Sequence, residues 1–185
     1  MLGLTFLFQR VPEILANPRT GYIWTNPLKV LALLGGALAL ASIKVRDEAA
    51  ENGKLERWSL TIGPWLLGSF LLVGGVQHFI YAPFVDTLVP GWIPPSQRFW
   101  TLFAGVCLIA GGLGLFVPPT RRVAAILSGC MIFLWVVLLH IPRVATEVDK
   151  AFEMAGVLEA LALSGVAFLM AGWRRDQPAP TSSLA

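Results

Sequence analysis

Residues 99–120 read "FWTLFAGVCLIAGGLGLFVPPT". No charged side chain interrupts the run. A helix that crosses a bilayer needs about 20 predominantly apolar residues, so this stretch is long enough to span one. Two more uncharged windows flank it, at 58–85 and 123–142. The helices predicted from the three windows run near 60–82, 98–117 and 121–142. A fourth is expected near 151–173, apolar except for Glu153 and Glu159. A fifth is expected at about 28–45, where "VLALLGGALALASI" lies between Lys29 and Lys44. That segment is short, but both lysines can lengthen it by snorkelling. Asn26 is placed to cap its start, and Pro27 suits its first position.

Composition agrees with this pattern. Hydrophobic residues make up 56% of the 185-residue chain, and 14% are charged. Soluble domains carry roughly 25% charged residues. A water-soluble domain of this size could not hide so much apolar surface, so the fold class is an all-α integral membrane helical bundle of about five spans. The net charge of +3 comes from basic residues at segment ends, which suits membrane topology and makes nucleic acid an unsuitable partner. The first ten residues, "MLGLTFLFQR", lack the basic start and the apolar length of a signal peptide. Residues 1–24 are expected to lie along the interface or to form a partial extra span.

Five spans put the two termini on opposite faces. Lys44, Arg46, Lys54, Arg57, Arg121, Arg122, Arg174 and Arg175 fall on one face. Arg10, Arg19, Lys29, Arg98, Arg143 and Lys150 fall on the other. Basic residues collect on the cytoplasmic side, which assigns the first, larger set and the C-terminus to the cytoplasm. The segment "APFVDTLVPGWIPPSQRFW" is then outside, too proline-rich for a long helix and too apolar for free solution. Trp92 and Trp100 suit the headgroup region.

Two segments echo each other. "GSFLLVGGVQHF" (68–79) and "GVCLIAGGLGLF" (105–116) share the pattern G-x-x-L-[LI]-x-G-G-x-x-x-F. Membrane helices draw on few residue types, and the physical reading does not depend on descent. Small residues let helix backbones approach closely in lipid. Gly68 and Gly75 share one helical face, as do Gly105 and Gly112, and Gly74 and Gly111 stand beside them. These six glycines are the candidate packing residues.

His78 falls three residues after Gly75 and should share that face. His140 ends the fourth span at a similar depth. The two could line one outward-facing pocket, with Gln77, Tyr81, Asp86 and Trp92 near enough in sequence to contribute. Glu159 lies about 12 Å along the last helix, with Ala155, Gly156 and Ala162 beside it on a face expected to be packed. An ionisable residue at that depth is costly and suggests function. Plainer roles fit too: a histidine at a helix end can bond a carbonyl or a headgroup, and Glu159 can hydrogen-bond a neighbouring helix. No ligand spacing supports a metal site. Cys107 and Cys130, both in apolar runs, fit small packing residues better than a redox pair.

Several residues resemble the DoxX-like membrane proteins. They are the helix end Gly75, His78, Phe79 with Pro83 after it, and the loop Val89, Pro90, Trp92, Pro94. The glycine-rich helix that follows and the helix led by Arg121 and Arg122 complete the set. The resemblance covers roughly 60–173. It implies a four-helix membrane domain at 58–173; the N-terminal segment, 1–57, lies outside the resemblance and is expected to hold one short span and a polar cytoplasmic loop. Residues 174–185 are expected to be a disordered tail. It further implies a bacterial inner-membrane accessory subunit of a quinone-linked or thiol/sulfur redox system, rather than a stand-alone enzyme. Another membrane or redox protein would be its partner. Where such proteins would carry a glutamate, this chain has Leu108. No haem, flavin, nickel or iron–sulfur signature is present, and a quinone is the one redox molecule the resemblance suggests. A proton-coupled small-solute transporter or exporter gated by Glu159, and a purely structural membrane partner, are the alternatives.

Overall fold

A computed structural model describes residues 8, 11–16, 21–48, 53–146 and 150–172. The tail at 174–185 and most of residues 1–10 and 17–20 lie outside it. Among the described residues the chain is helical, with no strand. A short helix α1 (Val11–Ala16) and a 3-10 turn (Gly21–Trp24) lead into α2 (Thr25–Glu48). Helix α3 (Gly53–Ile80) is followed by the short α4 (Ala82–Leu88) and then by α5 (Gln97–Phe116). Helix α6 (Arg121–Trp135) passes through a π turn (Val136–His140) into α7 (Ile141–Thr146), and α8 (Lys150–Gly172) completes the bundle.

Four helical stretches are long and apolar enough to cross a membrane: Thr61–Ile80, Gln97–Phe116, Arg121–Thr146 and Glu153–Gly172. They fall on the four windows expected from the sequence. The apolar part of α2, Thr25–Ala41, is shorter, as its length in sequence requires. Helix α2 nevertheless belongs to the bundle, packing along α3 and α8. The expected division at 57/58 falls inside α3. Asn26 is not a cap: the 3-10 turn runs straight into the helix, which begins one residue earlier at Thr25. Of residues 1–24, the described part is Phe8, the short α1 and this turn.

Leu67, Leu71 and Leu115 are fully buried and anchor the core, together with Ala32, Ala39 and Ala167. Many large side chains point outward instead, including Leu102, Leu113, Val123, Leu127, Phe133 and Leu158. Small residues inside and large apolar ones outside are what lipid permits, because close packing rather than exclusion of water holds membrane helices together.

The glycine echo becomes a seam between α3 and α5. A Cβ placed on Gly68 would lie 3.0 Å from the Gly112 carbonyl oxygen, and one on Gly75 would lie 2.8 Å from that of Gly105. The two repeats therefore pack on each other, antiparallel, glycine against glycine. Gly111 leaves the seam and faces Ser128 of α6. A Cβ placed on Gly74 would meet nothing within 4 Å. Sequence could not separate it from Gly75, because neighbouring helical positions point about 100° apart and only the neighbouring helices decide which one is covered.

The ends are pinned by local hydrogen bonds. Ser96 accepts from the Phe99 amide at 3.2 Å and caps α5. Arg121 donates through Nε to the Leu115 carbonyl at 2.9 Å and closes the α5–α6 turn. Between α6 and α8, the buried Ser164 hydroxyl donates to the Gly129 carbonyl at 3.0 Å.

Candidate functional site

Polar side chains gather at one end of the bundle, where α2 and α8 begin and α3 and α6 finish. Thr25 donates to the Gln77 side-chain carbonyl at 2.6 Å, which ties the start of α2 to the end of α3. Lys29, one turn further on, meets Glu159 of α8 at 2.5 Å. These contacts bound a cavity of about 600 Å³. Gln77, His78, His140 and Glu159 all line it, with Trp135 and Tyr81. Apolar walls with a few converging polar groups are the usual make-up of a small-molecule site, and the volume falls in the usual range of roughly 300–1,000 Å³.

The two histidines arrive by different routes. His78 is delivered by the helical register of α3 and donates from Nδ1 to the Gly74 carbonyl at 2.7 Å. That bond fixes the tautomer of the neutral ring, so Nε2 carries the lone pair. The ring stacks on Trp135, with centroids 6.0 Å apart and planes at 23°. His78 thus makes the carbonyl bond of a helix-end residue and lines a cavity as well.

His140 depends on the π turn. Pro142 has no amide hydrogen, and its ring crowds the carbonyl four residues earlier, so the α-helical ladder cannot continue through it. The Ile141 amide reaches back to the Val136 carbonyl instead, five residues away. In an unbroken α-helix His140 would stand about 140° from Trp135. The wider turn brings both residues to the same cavity wall. Gly156 of α8 passes close enough that a Cβ there would lie 3.3 Å from His140 Nδ1. Nδ1 itself is buried without a hydrogen-bond partner among the described residues.

Glu159 is placed otherwise than expected. Ala155 and Ala162 are exposed, and its own side chain is half exposed. It is held by the charge of Lys29, a residue that reads from sequence only as a snorkelling helix end. Trp92 is exposed and lines no described cavity; its loop turns it outward from the bundle end. Asp86 is also away from the cavity, bound through Oδ2 to Arg98 Nε at 2.8 Å. Sequence reading missed Trp135, whose only signal is its place five residues before His140 and seven before Pro142. It also missed the pair of Arg143 and Glu153. Arg143 grips the Glu153 carboxylate with both Nε (3.0 Å) and Nη2 (2.7 Å), ten residues apart across the α7–α8 connection. Glu153 is buried, and this fork satisfies its charge.

Among the described residues no cluster of three or more histidine, cysteine or carboxylate side chains could hold a metal ion. Cys107 and Cys130 are free thiols. The family described as a domain of unknown function (DUF8561) matches residues 67–161, which takes in α3 from Leu67 to the cavity-facing part of α8. No curated protein and no solved structure matches the chain.

Proposed function

The chain belongs to the DUF8561 family, and from its cavity we propose that it binds a small lipid-soluble ring molecule of the quinone class. In this reading it serves as an accessory subunit of a membrane redox system, not as a stand-alone enzyme. One observation carries the proposal: the 600 Å³ cavity is apolar and aromatic over most of its wall, yet two histidines, a glutamine, a tyrosine and the Lys29–Glu159 pair converge on it. A quinone has a flat ring to lie beside Trp135 and the stacked His78. Its two oxygens accept hydrogen bonds when oxidised and donate them when reduced. His78, with Nδ1 committed to Gly74, offers an acceptor at Nε2 and suits the reduced, hydroxyl-bearing form. Lys29 offers donors, and His140 can serve either way according to tautomer. The resemblance to DoxX-like proteins supports a bacterial plasma-membrane setting, and the basic-residue count supports a cytoplasmic C-terminus.

The test is a titration of the protein, in lipid nanodiscs, with a short-chain quinone and its quinol. Trp135 reports through its fluorescence, and Trp135→Phe identifies its share of the signal. Saturable quenching is expected in the native protein. The double variant His78→Ala, His140→Ala should weaken quinol binding by about tenfold or more, the worth of two hydrogen bonds. Equal affinity in native and double-variant nanodiscs refutes the proposal.

The ion pair at the cavity supports a second reading, a proton-coupled transporter in which Glu159 releases Lys29 when protonated. It predicts pH-dependent solute flux in proteoliposomes that Glu159→Gln abolishes. Flux unaltered by that change removes the gate.

A further inference from the structure

A second cavity, of about 300 Å³, lies between α4, α5 and α6 on the far side of His78, Trp135 and His140. Its wall is apolar almost throughout: Val89, Phe103, Ala104, Met131 and Leu138 are typical. The polar exceptions are His78 and His140, on the wall shared with the larger cavity, and Thr101, which does not line the larger cavity. Thr101 is 1% exposed, and its Oγ1 has no hydrogen-bond partner among the described residues. A threonine in a helix ordinarily satisfies its hydroxyl on the carbonyl a turn earlier. Leaving a buried hydroxyl unpaired is unfavourable, and such a group in a native fold calls for a partner that the fold does not itself supply.

We propose that this chamber is a second binding site, for a small apolar ring molecule bearing a single hydroxyl or carbonyl group that pairs with Thr101. The chamber's size limits the guest to about two fused rings, since a cavity in the lower part of the usual range takes a small ligand. The guest's polar group completes the unmet bond of Thr101, and the aliphatic and aromatic walls take the rest. A hydroxyl both donates and accepts, so an alcohol, phenol or ketone would satisfy Thr101. A plain hydrocarbon of the same shape would fill the space and leave the hydroxyl unmet. The chamber shares His78, Trp135 and His140 with the larger cavity, and Thr101, which lines this chamber and not the larger one, tells the two sites apart.

The experiment compares two probes of nearly equal shape, 1-naphthol and 1-methylnaphthalene, on the full chain in nanodiscs. Binding is read by calorimetry for the native protein and for Thr101→Val, which keeps the shape and removes the hydroxyl. Because each probe's partition into lipid is common to both proteins, the native-to-variant ratio isolates the hydroxyl. Thr101→Val should weaken 1-naphthol by about five- to tenfold, one hydrogen bond's worth, and leave 1-methylnaphthalene unchanged. Ala104→Phe, which fills the chamber, should abolish binding of both. A Thr101→Val protein that binds both probes as the native one does overturns the proposal, and so does a native protein that binds neither. A chamber that only houses lipid chains gives one or the other of those two results.

Discussion

Gly74 and Gly75 are adjacent and chemically identical, and the fold gives them opposite surroundings. A Cβ on Gly75 would stand 2.7 Å from Ile109 Cγ1, 2.8 Å from the Gly105 carbonyl oxygen and 2.9 Å from the Ile109 amide nitrogen. Two of those three atoms are backbone, so no side-chain rotation clears the way. Ordinary contact begins at 3.4 Å, and α3 and α5 would have to part by roughly half an ångström along the seam. Overpacking of that kind costs about 1–3 kcal/mol, offset by about 1 kcal/mol from the better helix propensity of alanine. Gly75→Ala should therefore lose up to about 2 kcal/mol. A Cβ on Gly74 would meet nothing within 4 Å, and its carbonyl keeps the bond to His78 whatever the side chain. Gly74→Ala should be neutral or gain up to about 1 kcal/mol. Reversible unfolding in mixed detergent and SDS micelles, followed by helical circular dichroism, measures both. Equal stabilities for the two variants, or greater loss in Gly74→Ala, would refute the seam.

Three other substitutions test separate parts of the structure. Glu153→Gln breaks the two-pronged bond from Arg143 and should cost about 2–3 kcal/mol in the same unfolding assay, less than the ~3–5 kcal/mol of a fully buried pair because Arg143 keeps some exposure. Pro142→Ala restores the missing amide and should let the π turn relax to an α-helix. His140 would then swing off the cavity wall, so quinol-induced quenching of Trp135 should fall while the unfolding midpoint stays or rises. Ser128→Ala removes a buried hydroxyl with no partner among the described residues and should stabilise by about 1 kcal/mol; a destabilised variant would mean the hydroxyl is bonded.

The membrane character and the positions of four spans were legible in residue order, because an uncharged run of about 20 residues has few stable places other than a bilayer. The seam was half legible. Glycines seven apart mark one helical face, but nothing along the chain says that the two marked faces meet each other. The Gly68–Gly112 and Gly75–Gly105 pairings come from the antiparallel packing of α3 on α5. The site divides the same way. His78 follows from helical spacing after Gly75. His140 required the π turn at Pro142, whose effect on side-chain direction is set by which carbonyl the freed amides find. Lys29 and Glu159 lie 130 residues apart, and their pairing reflects only where α2 crosses α8. Trp92 was named for its nearness to His78 in sequence, and the fold leaves it exposed and outside the cavity. Sequence alone determined which segments must leave water. Tertiary structure decided which side chains share a cavity, because that depends on helix rotation and neighbour choice, and in lipid those are settled by close packing between faces remote in the chain.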